Sequence, residues 1–113
     1  MQTATRIFVK TNRTIHLLSV NDILRCASES NYSFIYYGEG LKVYLAKTLK
    51  AMSVTLPESS FVRVHRSHIV RRDAIHLINN DHLVLINGEM IPVSRRYRKV
   101  LQTSVFSQQP IAS

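Results

Sequence analysis

The sequence predicts one mainly β domain with one or two short helices, and three observations predict it. Short β-branched and aromatic runs recur along the whole chain, separated by polar turns. Asn87-Gly88 stands between two such runs and is the strongest hairpin signal present. A length of 113 residues suffices for one core and not for two. The predicted domain covers residues 1–106, and the uncharged residues 107–113 read as a frayed tail.

Taken in order, Ile7-Phe8-Val9 and Ile15 to Leu18 read as strands joined by a Thr11-Asn12 turn. After Asn21-Asp22 come Ile23 to Ala27, a polar break at Ser28 to Asn31, and the aromatic run Tyr32 to Tyr37. Gly38-Glu39-Gly40 gives the backbone freedom for a hairpin into Leu41 to Ala46. Thr48 is placed to cap a short helix whose Leu49, Met52 and Leu56 share one face before Pro57 stops it, a helix expected across a sheet edge. Strands return at Phe61 to Val64, His68 to Val70, Ile75 to Ile78, Leu83 to Ile86 and Met90 to Val93, with Asn87-Gly88 predicted as a type I′ turn. Ser94 then precedes a closing helix in which Tyr97, Val100, Leu101 and Ser104/Val105 are predicted to form the apolar stripe.

Fifteen Lys and Arg against seven Asp and Glu give a net charge of +8, a balance that favours polyanionic partners. Eight of the fifteen cations fall in two stretches, Arg63, Arg66, Arg71 and Arg72, then Arg95, Arg96, Arg98 and Lys99. Cations placed for solubility alone would not concentrate so. The single cysteine, Cys26, excludes an internal disulfide and reads as a buried structural thiol. Neither a secretory signal core nor a membrane-spanning run is present, so a cytoplasmic domain with no membrane partner is expected.

In the first basic stretch, cations and hydrogen-bonding side chains interrupt a strand-like alternation, and Arg66 on the apolar side predicts a bend at His65-Arg66-Ser67. Arginine offers paired donors for guanine O6 and N7 or for phosphate, while Ser67 and His65 add shorter contacts. In the second, Ser94 is followed at once by Arg95 and Arg96, cations that oppose the dipole of the helix they begin. A phosphate nearby would resolve that opposition, held by free backbone N–H groups and these side chains together. Each stretch also admits a plainer reading, a solvated face for the first and a frayed basic segment for the second. Those alternatives stay open at this stage.

His65, His68, His76 and His82 raise a metal site, but neighbouring arginines and the shortage of Cys and carboxylate partners argue against one. No cofactor is predicted. Nor is an enzyme: Ser67 beside His65 is not a triad, no nucleophile elbow or phosphate loop is present, and the acids are scattered singly. The aromatics Tyr32, Phe34, Tyr36 and Tyr37 read as core or cross-strand pairs in preference to a platform for single-stranded bases.

Phe61 to Val70 followed by Ile91 to Tyr97 resembles, in order and spacing, the two signature stretches of the LytTR DNA-binding domain, and the similarity runs from about Ile7 to Leu101. The resemblance implies an elongated arrangement of three small antiparallel sheets, with loops that enter the major groove of double-stranded DNA. It implies base contacts at or near Ser33, at Arg66 and at Arg95. Because the Ser33 hydroxyl is short, Asn31 or Tyr32 stands as its substitute. Arg71 departs from the asparagine the family often carries there, as an added phosphate contact or an altered turn. Receiver domains often accompany the family, so a receiver or other sensory module outside this chain, and paired binding at repeated DNA sites, are partners to consider.

The sequence thus predicts a transcriptional regulator that binds duplex DNA through Asn31, Tyr32, Ser33, His65, Arg66, Ser67, Arg71, Ser94, Arg95, Arg96, Arg98 and Lys99. The rival from another class is a basic β-barrel that binds RNA or single strands by stacking.

Overall fold

The computed structural model describes residues 5–105 and Ile111, so the predicted tail lies almost wholly outside the described residues. Among the described residues ten strands form three antiparallel sheets, accompanied by two α-helices. They do not close into a barrel, which removes that part of the rival reading. The molecule measures 52 × 39 × 24 Å, about twice as long as it is thick.

Strands β1 (Arg6–Lys10) and β2 (Ile15–Ser19) make a two-stranded ribbon. A five-stranded sheet follows, in the order β5 (Leu41–Leu45), β4 (Tyr32–Tyr37), β3 (Ile23–Glu29), β7 (His68–Arg71), β6 (Phe61–His65). The third sheet runs β10 (Met90–Pro92), β9 (His82–Leu85), β8 (Ile75–Ile78). Helix α1 (Leu49–Thr55) starts where the Thr48 hydroxyl accepts the Ala51 N–H at 3.2 Å, and buries Leu49 and Met52. It lies against β3, β4 and β7, the middle of the five-stranded sheet, and not across an edge as the sequence suggested. Leu49 and Met52 in the helix and Leu56 at its C-cap are all buried, and together they need a broad surface to cover them.

Two cores result, one on each side of the β6–β7 pair, where the chain length had predicted a single one. Ile7, Val9, Leu18, Cys26, Ile35, Val43, Met52, Phe61 and Ile69 form the first, between the sheet, the ribbon and α1. Val62, Val64, Val70, Leu83, Leu85, Ile91, Val93 and Leu101 form the second, between β6–β7, the third sheet and helix α2 (Arg95–Val105). The alternation Phe61/Val62 and Ile69/Val70 sends neighbouring side chains to opposite cores, which is why these strands are apolar on both faces. Cys26 is fully buried, and burial pushes its thiol up to about 12, so it is the structural thiol the sequence suggested.

Four details differ from the sequence reading. Tyr32, Phe34 and Tyr36 point away from the core, since their strand buries Ser33 and Ile35 instead, and only Tyr37 of the run packs against the first core. Their rings make cross-strand pairs, with Tyr32 to Tyr44 at 4.8 Å and Phe34 to Tyr44 at 5.1 Å between centroids. The Asn87-Gly88 hairpin forms, but with Ile86, Asn87 and Gly88 as a three-residue loop in which Gly88 alone takes a positive φ, of +90°. Asn87 instead accepts the Glu89 N–H with its side chain, and Ile86 falls outside the strand. Val100 is half-exposed, leaving the fully buried Leu101 to anchor α2 with partial help from Tyr97, while the side chains of Ser104 and Val105 lie outside the description.

Candidate nucleic-acid interface

Three segments far apart in sequence meet at one end of the five-stranded sheet. The β3–β4 turn is the pair Ser30-Asn31, because Glu29 lies opposite Tyr32. The β6–β7 turn is the pair Arg66-Ser67, because His65 lies opposite His68 after a bulge between Arg63 and His65. This is the bend that Arg66 predicted. The Ser67 carbonyl accepts the Ser28 N–H at 3.0 Å, tying the second turn to the strand that leads into the first. The start of α2 joins them through the Ser94 N–H, which donates to the Val64 carbonyl at 2.9 Å.

Charge is divided along the same axis. Asp22, Glu39, Glu58, Asp73 and Glu89 belong to the opposite end of the sheet or to the loops packed there, and Arg25 spans toward that end to donate to Glu89 at 2.7 Å. Hydrogen bonds from Arg25 and Asn87 hold the Glu89 carboxyl below its ordinary range. Of the acids near the turns, Glu29 is exposed and Asp81 is depressed by its hydrogen bond to His82. The turn end therefore presents Arg66, Arg95, Arg96 and Lys47 with little acidic opposition.

The predicted residues fall into three groups. Asn31, Tyr32, Arg66, Arg95, Arg96 and Lys99 are exposed, and among the described residues the side chains of Arg66, Arg95 and Lys99 make no hydrogen bond or ion pair. His65 and Ser67 shape the turn between them: the His65 Nδ1 accepts the Ser67 N–H at 3.0 Å. Ser94 begins α2 by accepting the Tyr97 and Arg98 N–H groups on its carbonyl, each at 3.1 Å. Its hydroxyl is buried and has no partner among the described residues.

The remaining three do other work. Ser33, expected at the surface of the turn, is instead fully buried and donates to the Lys47 carbonyl at 2.7 Å. The reason is the strand period of two, which turns Ser33 inward beside Ile35 when Tyr32 and Phe34 face out. Arg71 sits at the far end of β7, about 10 Å along the strand from the turn, and donates to the Ile23 carbonyl at 2.7 Å. Arg98 donates to the carbonyl and side chain of Asn80, binding α2 to the β8–β9 turn.

Sequence reasoning missed two contributors. Lys47 follows β5 and is exposed at the turn end, a lone cation outside the two basic stretches. Arg63 stood inside a basic stretch without an assigned task, and its guanidinium turns inward onto the turn it precedes. Its position two residues before the turn was visible, its direction was not.

The histidines do not assemble. His65 and His68 lie with ring centroids 5.3 Å apart, His82 bonds Asp81 and Asn79 in another sheet, and His76 is exposed. Among the described residues no three His, Cys, Asp or Glu side chains converge as a metal site would need. No helix among those residues is long and apolar enough to cross a membrane.

The family profile of the LytTr DNA-binding domain matches residues 13–105. No curated protein matches. The structure is similar to the LytTr DNA-binding domain of a Bacillus cereus protein described as a methyl-accepting/DNA response regulator, with a TM-score of 0.77 and 24% identity over 93% of this chain and 99% of that one.

Proposed function

This chain belongs to the LytTR family of DNA-binding domains, and on that premise we propose that it recognises double-stranded DNA sequence-specifically from the major groove, as the output module of a transcriptional regulator. The observation that carries the proposal is the meeting of two exposed arginines without internal partners, Arg66 and Arg95, at one end of one sheet. A folded chain that needed these cations for itself would have engaged them, as it engages Arg71 and Arg98. Each guanidinium has the paired donors that match guanine O6 and N7. Asn31 and Tyr32, on the turn tied alongside, supply a third contact in place of Ser33.

Phosphates fall to the flanking groups. The first turn of α2 offers backbone N–H groups and the Arg96 side chain to one anion, with Lys99 farther along. Cations at a helix start, unfavourable by about 0.3–1 kcal/mol each, become favourable once a phosphate lies between them. The family's association with receiver domains, and the solved relative's description, make a response-regulator output role and paired binding at repeated sites part of the same reading.

Selection from a randomised duplex library tests it. An enriched motif is expected, bound roughly a thousandfold or more tighter than random duplex. Absence of a motif, or tighter binding to the separated strands, would overturn it in favour of base stacking on the exposed rings of Tyr32 and Tyr44.

A further inference from the structure

We propose that Arg63 is a positioning residue, which sets the β6–β7 turn and the start of α2 relative to each other so that Arg66 and Arg95 present as one unit. This rests on the reading of those two arginines as base contacts. The Arg63 guanidinium donates through Nη2 to the Arg66 carbonyl at 2.8 Å and through Nε to the His65 carbonyl at 3.4 Å. The same group lies 5.6 Å from the ring centroid of Tyr97, two residues beyond Arg95. One side chain on the edge strand β6 thus touches both the reading turn and the reading helix.

The turn needs such support. Arg66-Ser67 is a two-residue hairpin loop, and among the described residues Ser30 is the one non-glycine with positive φ, so neither residue adopts the conformation that matches the natural twist of paired strands. A loop of this kind splays its strands unless it is held. The Ser67 N–H to His65 Nδ1 bond holds it from one side, and Arg63 holds its outward carbonyls from the other. On the α2 side, Ser94 N–H to the Val64 carbonyl fixes the height of the helix start, while the guanidinium against Tyr97 restrains its rotation.

The task requires arginine and not merely a cation. A planar fork reaches two carbonyls and packs against a ring at once, whereas an ammonium carries the same charge as a point. Arg63 is half-buried with its donors used internally, which distinguishes it from the outward-facing Arg66.

The charge-conserving variant Arg63→Lys separates positioning from phosphate contact. Titrations at several salt concentrations would compare the selected duplex with a scrambled one for the wild type, Arg63→Lys, Tyr97→Leu, Arg66→Ala and the double variant Arg63→Lys/Arg66→Ala. Arg63→Lys should lose roughly tenfold on the selected duplex, the size couplings within a shared network reach, with scrambled-duplex affinity and salt slope unchanged. Tyr97→Leu should lose in the same direction by a smaller factor. The double variant should bind no worse than Arg66→Ala alone.

Equal loss on both duplexes, or no loss on either, overturns the positioning role. Amide exchange in the free protein gives a readout independent of DNA: Arg63→Lys should speed exchange of the Ser67 N–H and of the Tyr97 N–H together. Unchanged rates at both overturn the bracket even if binding falls. If instead Arg66→Ala loses equally on the selected and the scrambled duplex, and so keeps its preference, while both amides respond, the base-reading assignment fails and the positioning by Arg63 stands.

Discussion

Lowering the pH from about 7 to about 4 should destabilise this domain through one ring, His68. That side chain sits opposite Ala27 of β3 and beside His65, half-buried, with its Nδ1 unpartnered among the described residues. Burial first, then the neighbouring His65 and Arg25, lowers it from 6.5 to about 4. Between these two values the unfolded chain takes up a proton that the folded chain refuses, so folding weakens as pH falls through this window. The contribution is complete above the unfolded value and gone below the folded one. A shift of this size corresponds to about 3 kcal/mol for a fully buried group, and solvent screening of a half-exposed ring reduces it to about 1–2 kcal/mol.

Urea unfolding across that pH range measures the effect, with His68→Gln as the reference that removes the titration and keeps the carboxylates. The wild type should lose about 1–2 kcal/mol more than the variant on acidification, at an unchanged denaturant slope. Parallel pH profiles for the two proteins would refute the reasoning.

Two further substitutions test which way the β4 side chains face. Ile35→Ala, at a fully buried position, should cost about 2–5 kcal/mol, whereas Phe34→Ala, which loses outer-face ring contacts, should cost about 0.5–1.5 kcal/mol. Denaturant midpoints decide, and the reverse order would contradict the register. Ser33→Ala should lower stability by about 0.5–1.5 kcal/mol through its lost bond to the Lys47 carbonyl. Its preference between selected and scrambled duplexes should not change, and a flattened preference would return Ser33 to the interface.

Much of the fold was legible because strand residues alternate and turn residues are chemically marked. Phe61/Val62 and Ile69/Val70 advertise strands buried on both faces, and Thr48 with Leu49, Met52 and Leu56 advertises a capped, one-sided helix. The facing of β4 was not legible: Tyr32, Phe34 and Tyr36 alternate with Ser33, Ile35 and Tyr37, so both faces look buriable. Cross-strand pairing with Tyr44 and an inward bond for Ser33 select the smaller set for the core. The two basic stretches come together in the fold, but the use of each cation was not legible. Cations that donate inward, Arg63, Arg71 and Arg98, carry the same letter as those that point to solvent. Only the bulge and turn at Arg63 to Ser67, and the landing of α2 on β6, decide which is which.

The central claim is that Arg66 and Arg95 read bases while Lys99 meets the phosphate backbone. Salt-dependent titrations of Arg66→Ala, Arg95→Ala and Lys99→Ala against the selected and a scrambled duplex test it most directly. Arg66→Ala and Arg95→Ala should each lose about 1–3 kcal/mol on the selected duplex and little on the scrambled one. Lys99→Ala should weaken both duplexes alike and reduce the salt slope by roughly one. Equal losses on the two duplexes for Arg66→Ala and Arg95→Ala would contradict the account, leaving a basic surface that holds phosphates without reading sequence.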